Sequence, residues 1–237
     1  MTATPKMKTI ARIPPLEDGM RLSAGEFMRR YEAMPEAKHW QLIEGVVHMP
    51  PPPTSTSYHG QPQFLLLGWI FAYGAATAGV AGSAPSTVRL DLDNVPEPDG
   101  ALFVLPEHGG QVRFDEKGYI VGAPDLVIEV AASSLAIDMN EKFRAYRRNG
   151  VREYLVWKTE KREIVWFAFD EGEATQLEPD AKGRLASRAF PGLVLDVRAA
   201  LANDAARVLA TLQTALKTKA HLDFARRLRQ AGRNSRR

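Results

Sequence analysis

Two kinds of pattern divide the chain. Short apolar, β-branched runs fall at residues 86–92, 100–105, 126–131, 153–157 and 163–169, each the length of a strand. Longer stretches, 59–77, 135–149 and 197–219, read as helices. In the second of these, Leu135, Met139, Phe143 and Tyr146 form a stripe that should face a sheet. In the third, Leu201, Ala205, Val208, Leu209, Leu212 and Leu216 should dock on the domain or on a second subunit. The 59–77 helix is expected to be buried on most faces, with Gly68 and Gly74 weakening it. Ser23 followed by Glu26 has capping-box spacing and opens a short helix to about residue 34. Residues 40–49 read as a strand or hairpin bent at Glu44-Gly45 and ended by the proline run 50–53. Residues 106–123 read as a loop carrying a small hairpin. The order of strands and helices predicts an α/β (α+β) fold, a mixed sheet with helices packed on it. Three regions follow: an irregular lead-in at 1–20, a domain at 21–196, and a C-terminal helix with a basic tail at 197–237.

Charge refines the last of these. Eight basic residues from Lys217 to Arg237 against Asp223 alone give the tail +7, so the chain's total of +3 leaves −4 for residues 1–216. The tail reads equally as a polyanion-binding arm or as a solvated, partly disordered end. There is no cysteine, which excludes disulfides and thiolate ligands and fits a reducing, cytoplasmic compartment. The N-terminus carries no apolar core of a secretory signal. The most apolar stretch, 64–80, is broken by three glycines and falls short of the ~20 residues of a spanning helix, so no membrane association is expected.

Two acids stand out because they sit where acids are disfavoured. Glu129 lies inside the apolar run 126–131, and a buried carboxylate needs a cation, a basic partner or an exposed edge. Asp99 opens the apolar run 100–105 directly after Pro98. Two carboxylates on neighbouring strands are what Mg²⁺ needs, since it keeps several waters and takes one or two carboxylates plus substrate phosphate. Asp125 is a poorer partner: four residues along one strand place it ~13 Å from Glu129. It reads as a strand-entry residue. Lys142 lies ~60° from the centre of the helical stripe, at the margin of the buried face, with Asp138 one turn earlier. By itself that pair reads as a surface ion pair worth only tenths of a kcal/mol. Glu44 with Glu129 would also suit a glycosidase-like pair of carboxylates, although no exposed aromatics can be placed beside them. His39, His48 and His108 show no metal-ligand spacing.

Glu44-Gly45, His59, Pro98-Asp99, Glu129-Val130, Asp138, Lys142, Tyr146 and the segment Gly150-Val151-Arg152-Glu153-Tyr154 occur in one order. Together they resemble the Uma-type restriction endonuclease family of bacteria, a branch of the PD-(D/E)XK nucleases, over about residues 20–195. The resemblance implies a restriction-endonuclease-like mixed β-sheet core flanked by helices. It implies a Mg²⁺- or Mn²⁺-dependent endonuclease acting on nucleic acid, DNA first, with Asp99 and Glu129 as metal ligands. Glu44 would be an additional acid near the metal and His59 an auxiliary polar residue. The wider superfamily carries its lysine two residues after the second acid, where this chain has Ala131. The branch it resembles supplies the lysine from the following helix, and Lys142 matches that position. A homodimer would suit cleavage of two strands. The alternative is a nuclease-like module that binds nucleic acid or protein without turnover.

Overall fold

A computed structural model describes residues 13–36, 38–49 and 55–235. The proline run at 50–53, most of the N-terminal lead-in, and Arg236 and Arg237 lie outside the described residues. Ser23 caps α1 (Ala24–Glu32), its hydroxyl accepting the Glu26 N–H, but the Glu26 carboxylate goes to Arg29 and Arg30, so only one half of the expected capping box forms. Strands β1 (Gln41–Ile43) and β2 (Val46–His48) form the hairpin anticipated at 40–49. Glu44 and Gly45 turn it with φ of 52° and 73°, the paired left-handed residues of a tight hairpin turn.

A π-turn at Thr56–Gly60 leads into α2 (Gln61–Ala76). Leu65, Leu66, Trp69, Ile70 and Tyr73 bury one face of α2, while Phe64 and Phe71 stay 81% and 75% exposed. The expectation of burial on most faces is therefore corrected to one face. Next come β3 (Val80–Ser83), β4 (Val88–Arg89) and β5 (Gly100–Val104). The 106–123 loop holds β6 (Arg113–Phe114) and β7 (Ile120–Val121), its small hairpin. Strand β8 (Leu126–Ala131) is followed by α3 (Leu135–Ile137), a π-turn (Asp138–Lys142) and α4 (Phe143–Arg148). The chain continues through β9 (Glu153–Lys158), β10 (Glu163–Asp170) and β11 (Glu173–Gln176). It then forms the hairpin of β12 (Arg184–Ala186) and β13 (Val194–Asp196).

Six strands make the main sheet in the order β11-β10-β9-β8-β5-β3, with β8 and β9 parallel and every other pair antiparallel. This is the mixed sheet that the pattern predicts, and β8 lies inside it. Residues of β8 alternate between two cores. Leu126, Ile128 and Val130 meet α2, Trp157 and Trp166 on one face. Val127 and Ala131 meet Tyr146, Tyr154 and Val156 on the other, where Leu135, Met139 and Phe143 pack as the helical stripe requires. Glu129 belongs to this second face by the two-residue period of the strand.

The C-terminal region departs from the single expected helix. Asn203, at φ 55°, and the Asp204 cap break it into α5 (Val197–Leu201) and α6 (Ala205–Ala215). Val208 and Leu212 are buried in the main core, so the stripe docks on the domain itself. The basic tail is ordered as α7 (Lys219–Asn234), a third helix that the charge run does not betray.

Asp125 is structural, as its position at strand entry suggests. Its Oδ2 accepts the Val104 N–H at 2.9 Å, Arg152 Nε stands 3.3 Å from Oδ1, and burial raises its pKa. Asp125→Ala would orphan a buried backbone donor and is expected to cost about 1–3 kcal/mol, read from the denaturant midpoint.

Candidate active site

Strand register decides which acids meet. β5 pairs β8 with Gly100 opposite Ile128 and Ala101 opposite Val127, and Asp99 follows one residue beyond the last pair, at the end of the ladder where Glu129 lies. A register slip of one residue would turn Glu129 to the other face. Asp99 is fixed from three sides. Its Oδ2 accepts the Val130 N–H at 2.7 Å, and Oδ1 accepts Gln63 Nε2 at 3.1 Å. His59 Nε2 stands 3.2 Å from the same Oδ1 and has its pKa raised by that carboxylate.

Glu129 is 3% exposed, and its Oε1 takes both protein hydrogen bonds: Lys142 Nζ at 3.0 Å and the Tyr146 hydroxyl at 2.9 Å. Lys142 is 4% exposed and also lies 3.2 Å from Asp138 Oδ1. That second contact is an ion pair outside hydrogen-bond geometry, for Oδ1 makes no hydrogen bond. Asp138 Oδ2 accepts Ser134 Oγ at 2.6 Å. The expected surface pair of Asp138 and Lys142 is thus a buried one. The π-turn at Asp138–Lys142 explains the difference, because its wider i→i+5 turn departs from the ~100° step used to place Lys142 at the margin.

The electrostatics follow from three acids gathered around one ammonium. Burial pushes Glu129 up to about 8; Lys142 opposes that shift, and Asp138 and Asp99 add to it. Burial acts against the charge of Lys142 as well, but Asp138 and Glu129 outweigh it and hold the ammonium protonated. Tyr146, buried beside Glu129, is held well above its ordinary pKa and remains a donor. Tyr146→Phe should cost about 1–2 kcal/mol of stability.

Asp99, Glu129, Lys142 and His59 all line one open cleft of about 610 Å³. Glu44 does not join them. Its carboxylate is turned to Arg148, with NH2 at 3.0 Å from Oε1, because the left-handed turn of the hairpin aims it toward the end of α4. The structure therefore does not bring Glu44 together with Asp99 and Glu129, either as a third acid or as a glycosidase-like partner of Glu129. Several cleft residues escape sequence reasoning. Glu97 lines the cleft with its carboxylate 2.5 Å from His39 Nδ1, and its spacing of two from Asp99 was the available signal. Gln63, one turn after His59, lines it too, and so do His39 and His48, two of the histidines without metal-ligand spacing. A separate apolar groove along α2 and β3, about 500 Å³, carries no titratable side chain.

The donor set suits a hard divalent cation held weakly by protein and completed by substrate. Glu129 Oε2 accepts no hydrogen bond among the described residues, and Asp99 stands at the same end of the β5–β8 ladder. The surplus of acids over ammonium is the imbalance a cation would correct. Among the described residues no group of three or more His, Asp or Glu side chains is arranged to hold a metal ion. No helix among the described residues is long and apolar enough to cross a membrane.

The fold is that of a solved structure, described as "a putative nuclease belonging to DUF820" from Anabaena variabilis ATCC 29413. It superposes with a TM-score of 0.57 at 17% identity, over 74% of this chain and 97% of that one. No curated protein matches the chain. The model of the Uma2 family, described as "Putative restriction endonuclease", matches residues 25–198, a span that holds every residue of the cleft. With a restriction-endonuclease-like core and a matching sequence over most of its length, the chain is a member of the Uma2 family.

Proposed function

We propose that the protein is a divalent-metal-dependent endonuclease that hydrolyses phosphodiester bonds, in DNA first, with Mg²⁺ or Mn²⁺ held between Asp99 and Glu129. The observation that carries this reading is the buried pairing of Glu129 with Lys142 at the end of the β5–β8 ladder where Asp99 lies. When bound, the cation supplies positive charge that polarises the scissile phosphate and acidifies water. The residues of the chain do the rest. Asp99, locked by the Val130 N–H, presents a carboxylate with one fixed orientation. Glu129 would offer its carboxylate to the cation, while Oε1 accepts from Lys142 and Tyr146. Lys142, protonated, orients the attacking water or stabilises charge on the phosphoryl oxygens. His59, its charged form favoured by Asp99, adds a second donor at the rim. Cutting both strands of a duplex in one encounter calls for two such clefts, so the reading includes a homodimer. Light scattering of the eluting protein checks that part independently.

Supercoiled plasmid incubated with the protein should be nicked or linearised with Mg²⁺ or Mn²⁺ and left intact with chelator. Asp99→Ala should remove the activity. Equal cutting with chelator present, or by the Asp99→Ala protein, would defeat the metal-dependent reading. A protein that binds the plasmid and never cuts it would instead be the non-catalytic module.

A further inference from the structure

The five cations of α7 remain outside the cleft chemistry. The helix is firmly docked on one side: His221, Ala225 and Leu228 are buried. His221 Nδ1 meets the Pro191 carbonyl at 3.1 Å, and His108 Nδ1 meets the Leu228 carbonyl at 2.7 Å. Taking 100° per residue, Lys219, Arg226, Arg229 and Arg233 fall within an arc of ~80° on the exposed side, centred ~110° from the buried residues, with Arg227 on its flank. From Lys219 to Arg233 the row runs ~21 Å at 1.5 Å per residue. The one acid of the helix, Asp223, pairs with Lys219 and Arg226. Such exposed pairs are worth little and exchange readily for another anion. Arg229 and Arg233 have no ion-pair partner among the described residues.

The position of this face matters as much as its charge. α7 packs against the turn Pro106–His108 that follows β5, whereas Asp99 stands at the other end of β5. Five residues of extended chain separate Asp99 from Val104, ~17 Å at 3.3 Å each. The basic face and the cleft are therefore at opposite ends of one strand. An anionic bilayer fits this helix poorly, because interfacial helices insert an apolar face and here that face is used on the domain. Duplex DNA, with one charge per ~1.7 Å of axis, matches a straight cationic row and asks for no apolar contact.

We propose that the exposed face of α7, centred on Arg226, Arg229 and Arg233, is a second nucleic-acid-binding surface that grips phosphate backbone remote from the cleft. The identity of the polyanion rests on the proposed nuclease function. Binding is read in chelator without cutting, so this surface and the catalytic reading fail separately. The probe is a labelled duplex of about 30 base pairs, followed by fluorescence anisotropy across a salt series with the full chain. Combined Arg226→Gln, Arg229→Gln and Arg233→Gln should weaken binding tenfold or more near ~0.1 M salt and lower the slope of log K against log salt by about 2–3. Arg229→Gln alone should lower it by about one. The three side chains are exposed, so an unchanged thermal midpoint is expected for both variants. A control set of Lys182→Gln and Arg198→Gln, exposed cations outside both the cleft and α7, should leave affinity nearly unaltered. Unchanged affinity and slope in the triple variant, or equal weakening by the control set, overturns the proposal. So does loss of binding to phosphatidylserine vesicles with duplex binding intact.

Discussion

Glu129→Gln is expected to abolish metal-dependent cleavage, by ~10³-fold or more, while leaving the metal-free protein as stable as the parent or more so at neutral pH. The two effects have one cause. Burial raises the Glu129 carboxyl to about 8, so without a cation the folded state holds a proton that the unfolded chain releases near its ordinary value of 4.5. A group with a raised folded pKa contributes stability that is complete below 4.5 and disappears as pH rises toward about 8. The metal-free parent should therefore lose stability across that window, by an amount on the order of a few kcal/mol. Glutamine keeps the shape and a hydrogen-bonding oxygen for Lys142 and Tyr146, yet carries no charge to desolvate. Its melting temperature should vary less with pH from 5 to 8, and Mg²⁺ should no longer raise it. Thermal melts at several pH values, with and without Mg²⁺, alongside plasmid cleavage, read both halves. A glutamine variant that still cuts, or a parent whose stability does not fall over this range, contradicts the assignment.

Lys142→Met should cost both activity and fold. Nζ sits 3.0 Å from Glu129 and 3.2 Å from Asp138, and it is the ammonium of a site with three acids. Removing one partner of a buried ion pair leaves the others uncompensated, at about 3–5 kcal/mol. In a chain of this length that lowers the melting temperature by on the order of 10 °C. The penalty should shrink at acid pH, where the stranded carboxyls take up protons. Lys142→Met combined with Asp138→Asn should recover much of the stability and none of the cleavage, a coupling that a double-mutant cycle measures. If Lys142→Met melts like the parent and cuts like it, the lysine is neither an electrostatic anchor nor a participant.

The amino-acid order alone determined a good part of this. Each of the five apolar runs contains a strand, although the run at 86–92 shrinks to two residues, and residues 126–131 are a strand from end to end. The cap at Ser23 and the hairpin at Glu44-Gly45 followed from local chemistry, which acts within a few residues and is written in consecutive letters. Asp99 and Glu129 could be singled out because an acid in an apolar strand is a local contradiction.

Tertiary structure decided the rest, wherever the answer depended on partners distant in the chain. Register brought Asp99 to the end of the ladder where Glu129 lies, and no property of either segment specifies that meeting by itself. The π-turn carried Lys142 inward, where an even helical step left it at the margin. Glu44 lies at the expected bend with its carboxylate turned to Arg148, since side-chain orientation in a hairpin turn depends on what packs beside it. The edge strands β3 and β11 lack a distinctive apolar pattern, because an edge buries less and needs less. The basic tail could be read from charge but not its helix. Its order comes from apolar and histidine contacts made with β5's far turn and with Pro191, which exist only once the domain has folded.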